Sequence, residues 1–211
     1  MITAKDMREL EDLAVEQGIS KFKLMENAGK QLYFKIKEKY DLNNKKIVIF
    51  AGSGNNGGDG FAAARLLAIH CPILIFFFGD KEKLSVEAEE HYKKIKAPIN
   101  IIQIKNKFNL NQFHFQPDQE LLLIDALLGT GIKGPLREPL PLAIDYFNSL
   151  EGIKVAVDLP SGLDPDTGEA QDKYCQVDLI ITFHDLKVGL EKYKEKTIIV
   201  DIGIPKQKIT E

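Results

Sequence analysis

Residues 46–67 read KIVIFAGSGNNGGDGFAAARLL, and the fold turns on this stretch. It opens with an unbroken apolar run, residues 47–51, of the length and branching of a parallel strand buried on both faces. The run breaks into GSGNNGGDG at residues 52–60 and resumes as a small-residue helical pattern at residues 61–68. Strand, glycine loop and helix in that order form the first half of a βαβ unit. Glycines let backbone amides approach a ligand because no Cβ intervenes. The following helix aims its unpaired N–H groups and positive dipole end at the same point. Gly52, Gly54 and Gly57 satisfy the GxGxxG spacing of dinucleotide loops, a weak signal taken alone. Where a P-loop ends in GK[ST], this loop has Gly58-Asp59-Gly60. Asn55, Asn56 and Asp59 crowd oxygens at a helix start. A cap accounts for one of them, Asp59 being the natural choice; three together point to a ligand or ion site.

At 211 residues the chain suits one α/β domain spanning residues 1–211, with a sizeable core. Its 28% charged and 44% hydrophobic residues are ordinary for a soluble globular protein, and a net charge of −3 argues against a nucleic-acid face. The amino-terminal MITAKDMRELEDL is amphipathic and acidic, unlike a signal peptide, and the longest apolar run, residues 72–79, is too short for a bilayer. Cys71 and Cys175 share no CxxC or metal spacing, which fits a reducing cytoplasm.

Thr3 caps a helix over residues 6–17 that Gly18 ends, and Ser20 caps a second running to near Tyr40. Two helices therefore precede the first strand, an extension that packs on the sheet or on a second copy. Further strands are expected at residues 73–78, 99–104, 121–124, 154–157, 179–183 and 197–200, with a helix over residues 85–96 and a loop or weak helix over residues 105–120. Three strands end in acids, Asp125, Asp158 and Asp201, and another ends in the Asn/Asp loop. In a parallel sheet all such ends share one rim, where ligands bind.

Two more loops carry chemistry. Gly129-Thr130-Gly131, followed by Gly134-Pro135, is built for backbone contact with phosphate or ribose, or for plain flexibility. In Asp158-Leu159-Pro160-Ser161, Ser161 has no GxSxG context and no triad histidine, which disfavours a hydrolase. Asn56, Asp125 and Ser161 offer hard oxygens for a cation, and one acid among neutral oxygens suits a monovalent ion better than magnesium. Each also has a local turn to serve. Lys187 follows a strand end, where it neutralises a phosphate, partners Asp158, or is solvated. His70, His91 and His114 lack metal spacing.

Six separated motifs, LMENAG, GSGNNGGDGFAAARLL, DALLGTGIKGP, VAVDLPSGLDPDTG, TFHDLKVGL and VDIGIP, occur in the order found in the YjeF N-terminal family, the NAD(P)H-hydrate epimerases, which this chain resembles from about Met7 to Pro205. The resemblance implies a Rossmann-like three-layer αβα sandwich with a mostly parallel sheet and an N-terminal helical extension. It implies a substrate that is NADH or NADPH hydrated at nicotinamide C6, whose R and S epimers are interconverted so that a separate dehydratase can repair both. Carried over by motif, Asn55, Asn56, Gly57, Gly58, Asp59, Gly129, Thr130, Gly131, Ile132, Lys133, Gly134, Pro135 and Asp158 bind substrate, and Asn56, Asp125 and Ser161 ligate potassium. Asp158 then handles the proton at the C6 hydroxyl, with Lys187 balancing or positioning it. The stand-alone epimerase is the expected arrangement, with no membrane or nucleic-acid partner and a homodimer through the N-terminal helices. Three other readings stay open: an NAD-dependent oxidoreductase, a non-catalytic binding or scaffold module, and a small-molecule kinase, the last disfavoured by the missing loop lysine.

Overall fold

The computed structural model describes residues 1–116, 119–131, 134–170 and 172–205. Seven strands form one sheet: β1 (Lys46–Ala51), β2 (Ile73–Phe77), β3 (Ile99–Gln103), β4 (Leu121–Ala126), β5 (Ile153–Val157), β6 (Leu179–Phe183) and β7 (Thr197–Val200). Their order is β3-β2-β1-β4-β5-β6-β7, and every pairing is parallel. The strand order reverses at β1, between β2 and β4, and that switch point opens a crevice at the carboxyl ends.

The helices are α1 (Ala4–Glu16), α2 (Lys21–Lys39), α3 (Asn55–Leu67), α4 (Val86–Lys93), the single turn α5 (Lys107–Leu110) and α6 (Leu140–Ser149). A 3-10 segment, Val188–Lys196, precedes β7. Side chains alternate across β1 and so seed two cores. Ile47, Ile49 and Ala51 join α1, α2 and α3 on one face; Val48 and Phe50 join Ala143, Ile144 and Phe147 of α6 on the other. The three-layer sandwich is thereby complete. Among the described residues no helix is long and apolar enough to cross a membrane.

Thr3 caps α1 through a full capping box with Asp6, and Ser20 accepts from the Lys23 amide at the start of α2. The N-terminal extension packs on its own sheet: Met7, Leu10 and Ala14 of α1 share the core with Leu32 and Ile36 of α2. Ile2 pairs with Lys187, its amide donating to the Leu186 carbonyl at 2.8 Å and its carbonyl accepting from Val188 at 3.1 Å. The LMENAG motif ties α2 down. Gly29 lies so close to α3 that a Cβ would meet the Ala62 Cβ at 2.5 Å. Glu26 accepts from Arg65 at 2.7 Å, and the Asn27 amide donates to the Ile202 carbonyl at 2.8 Å.

Three elements differ from the sequence reading. The stretch expected as a loop to Gly60 is helical from Asn55, because burial of Gly57, Gly58 and Gly60 against the sheet and α2 offsets their weak helix propensity. Helix α6 falls between the second glycine loop and β5, where the sequence reading named no element. Asp125 lies inside β4, opposite Phe50 and Ala156, one residue short of the strand's end.

Candidate active site

A cavity of about 940 Å³ opens at the carboxyl ends of the strands, within the size range of small-molecule sites. The loops after β1, β2, β3, β4 and β5 all reach it, so the rim expected from parallel topology is assembled. Asn55, Asn56, Asp59, Gly129, Thr130, Gly131 and Asp158 line it. Helix α3 starts at Gly54 with no side chain capping its first turn, which leaves backbone N–H groups turned to the cavity for an anion. Arg8, Lys83, Lys105 and Arg137 add cations to the wall.

The other expected residues fall into three groups. Gly57 and Gly58 serve packing: a Cβ on Gly57 would meet the Gly52 carbonyl oxygen at 2.0 Å, and one on Gly58 the Met25 sulfur at 2.5 Å. Gly134 and Pro135 lie beyond the cavity wall among the described residues, and Ile132 and Lys133 fall outside those residues. Asp201 corrects the expectation of three gathered acids. It sits at the end of the edge strand β7, exposed, and its carboxylate accepts from the Gly203 amide at 2.7 Å. Asp59 is no cap either, since it lies in the second turn of α3, beyond the reach of the first-turn amides.

Asp158 follows β5 in a left-handed conformation, φ 62°, as does His184 after β6, φ 67°. Such backbone costs on the order of 1 kcal/mol or more and needs surrounding structure to hold it. Here one carboxylate oxygen, Oδ1, accepts from the Thr182 hydroxyl at 3.0 Å, the Phe183 amide at 3.1 Å and the Lys187 ammonium. Lys187 is fully buried and completes its donors on the Thr182 hydroxyl at 3.1 Å and the Phe183 carbonyl at 2.8 Å. It stands behind Asp158, off the cavity wall. Oδ2 of Asp158 is the oxygen left for a ligand.

Beneath the β4 loop, Asn56, Asp125 and Ser161 are knitted together. Asp125 is completely buried; its Oδ1 accepts from the Ser161 hydroxyl at 2.6 Å and the Leu127 amide at 3.2 Å, and its Oδ2 from the Ser161 amide at 2.7 Å. The Ser161 hydroxyl accepts from the Leu128 amide at 2.8 Å, and the Asn56 amide donates to the Leu128 carbonyl at 2.9 Å. Burial raises the Asp125 carboxyl above its ordinary range, against hydrogen bonds from Ser161, Leu127 and Cys175 that lower it. Among the described residues no cationic side chain pairs with it.

Sequence reasoning missed the contribution of α1. Met7, Arg8, Glu11 and Asp12 form one wall of the cavity, with Lys21 beside them. Burial first, then the nearby Asp158 charge, pushes the Glu11 carboxyl up to about 7. Its signal was present: Glu11 follows the buried Met7 by four residues, so it lies on the edge of the apolar stripe.

The profile of the YjeF-related protein N-terminus matches residues 21–189. An NAD(P)H-hydrate epimerase of Nitrosopumilus maritimus is 37% identical, the match covering 97% of this chain and 95% of that one. One of Cenarchaeum symbiosum is 36% identical over the same shares. A bifunctional NAD(P)H-hydrate repair enzyme, Nnr, of Archaeoglobus fulgidus is 39% identical, but this chain spans only 42% of its length. The crystal structure of the yeast protein ynu0 (YNL200c) shares the fold, with a TM-score of 0.82 at 20% identity over 95% of this chain and 87% of that one. On the profile match and on likeness along nearly its whole length, the chain belongs to the YjeF-related N-terminal family.

Proposed function

We infer that the chain is an NAD(P)H-hydrate epimerase, an isomerase that interconverts the R and S forms of NADH or NADPH hydrated at nicotinamide C6. The observation that carries this is the meeting, in one cavity, of the uncapped α3 amides with Asp158, which a buried lysine holds from behind. The amides of α3 and the second glycine loop, with Asn55, Asn56, Asp59, Gly129, Thr130 and Gly131, take the dinucleotide, and the wall cations suit its phosphates. Asp158 works at the C6 hydroxyl, and Lys187 fixes its position and charge. Loss of the hydroxyl as water is assisted by the N1 lone pair; water returning to the other face of C6 gives the second epimer.

The same reading places potassium at Asn56, Asp125 and Ser161. The fit rests on Asp125, a buried acid without a cationic partner among the described residues, with the Ser161 hydroxyl oxygen and the Leu128 carbonyl oxygen grouped beside it. Potassium would offset that charge and brace the turn at Leu128. Chromatographic separation of the two hydrate epimers, with and without the protein, in potassium and in tetramethylammonium buffer, tests both parts. Equal rates with and without protein refute the activity; equal rates in the two buffers refute the ion.

The bifunctional archaeal relatives are named for NAD(P)H-hydrate repair, which supports coupling of this chain to a dehydratase acting on one epimer. A cytoplasmic homodimer completes the reading, and sedimentation at micromolar concentration tests the dimer. A non-catalytic module would bind dinucleotide and leave the epimers unchanged; an oxidoreductase would change nicotinamide absorbance with an alcohol present.

A further inference from the structure

Asp59 is the buried acid that the site leaves without a partner. It is 9% exposed, on the second turn of α3, and its carboxyl makes no hydrogen bond or ion pair among the described residues. The other two buried acids have partners, Asp125 in Ser161 and Leu127, and Asp158, through Oδ1, in Thr182, Phe183 and Lys187. Asp59 borders the main cavity and also an adjoining chamber of about 50 Å³, room for one or two waters. Glu11 borders the same two spaces. It lies outside the family profile's match at residues 21–189 and outside all six motifs.

We propose that Asp59 is a catalytic residue, the donor of the proton that carries off the C6 hydroxyl as water, and that Glu11 is the group through which it regains that proton. The inference rests on the epimerase reading. The hydroxyl oxygen takes the proton from Asp59, the C6–O bond breaks, and the N1 lone pair forms the N1=C6 bond. Water then adds to the opposite face of C6, the N1=C6 pair returns to nitrogen, and the added water gives a proton to Asp158. That proton passes to solvent while Glu11 restores one to Asp59 and takes its own back from water in the cavity, so the cycle closes without any further reactant.

The surroundings support this division of labour. Burial, then the charges of Asp158 and Glu11, hold the Asp59 carboxyl well above the usual carboxylate range, and Lys187 pulls the other way. The charged groups facing the pair are Arg8 and Asp12 on α1, Lys21 at the start of α2, Glu87 on α4, and Asp158 with Lys187 behind it. Two carboxyls whose ionisation burial disfavours, beside a third paired with an ammonium, make the arrangement that separates acid from base.

The test uses the whole protein and separated hydrates of NADPH, followed from pH 5 to 9. The parent activity is read by the wild type in the same series. Wild type that leaves the epimers alone refutes the epimerase reading and the inference with it; the outcomes below bear on the inference alone. Asp59→Asn is expected to slow interconversion about 10²–10⁴-fold with KM within about threefold, and Asp59→Glu to recover part of the rate. Glu11→Gln is expected to move the alkaline fall of the rate to lower pH, because Asp59 loses a proton more readily once a neighbouring negative charge is gone. A merely structural role would lower the rate at every pH and leave that fall in place. Asp59→Asn exchanging as fast as wild type, or an unmoved alkaline fall in Glu11→Gln, overturns the proposal. Where Asp59→Asn fails to fold, the Glu11→Gln profile decides alone.

Discussion

Replacing Glu11 by glutamine separates the electrostatics of the cavity from its chemistry. In the folded chain burial and Asp158 raise the Glu11 carboxyl from 4.5 to about 7. Folding therefore favours its protonated form. Below about pH 4.5 the group is neutral folded and unfolded, and its titration contributes nothing. Between there and about pH 7 the unfolded chain has given up the proton that the folded chain keeps, so stability falls as pH rises; above that the loss is complete. Each tenfold change in acidity is about 1.4 kcal/mol, so the whole rise corresponds to roughly 3 kcal/mol. Glu11 is only half-buried and keeps some contact with water, so about 1–3 kcal/mol is the expected range. Glutamine keeps the shape and cannot ionise. Urea unfolding of the two proteins from pH 5 to 8.5 reads the difference, in which every other titrating group largely cancels. The variant should gain on wild type by about 1–3 kcal/mol between pH 5 and 8, which is roughly 2–12 °C in thermal midpoint for a chain of this size. A difference that stays flat across that range would show that the cavity does not hold the Glu11 proton.

Asp158→Asn should fold and bind dinucleotide but slow epimer exchange by about 10²–10⁴-fold, measured by chromatography of the hydrates; undiminished exchange removes Asp158 from the chemistry. Lys187→Met leaves a buried carboxylate unpaired and should cost about 3–5 kcal/mol in urea unfolding, with less than additive loss when combined with Asp158→Asn. Gly29→Ala puts a methyl 2.5 Å from the Ala62 Cβ and 2.8 and 2.9 Å from backbone atoms of Ala62 and Ala63, and should cost about 1–3 kcal/mol by thermal unfolding, with Ala62→Gly giving little relief because the backbone contacts remain; an unchanged midpoint would refute the close seating of α2 on α3.

The sheet was legible because each strand is a short apolar run that ends in a turn residue, and a buried parallel strand leaves little room for other patterns. Caps were legible at Thr3 and Ser20, where one side chain does one job. The start of α3 was not, since glycine propensity argues for a loop and only packing against β1, β4 and α2 reverses it. Helix α6 hid behind two prolines, although Ala143, Ile144 and Phe147 keep helical spacing. In the site, Asp158, Asn56 and the glycine loops could be named from strand ends. Asp201 misled because position at a strand end says nothing of distance from the switch point, and β7 lies at the far edge of the sheet. Glu11 was hidden for the opposite reason: an acid on an amphipathic helix reads as solvated until the helix is known to roof a cavity.

The pairing of Ile2 with residues 186–188 has a consequence for how the molecule comes into being on a ribosome. Helix α1 has no anchor until residues 186–188 have been made, and that anchor clasps the backbone of Lys187 itself. The working ion pair and the roof over the cavity therefore become possible together, after the strands β1 to β6 have been made.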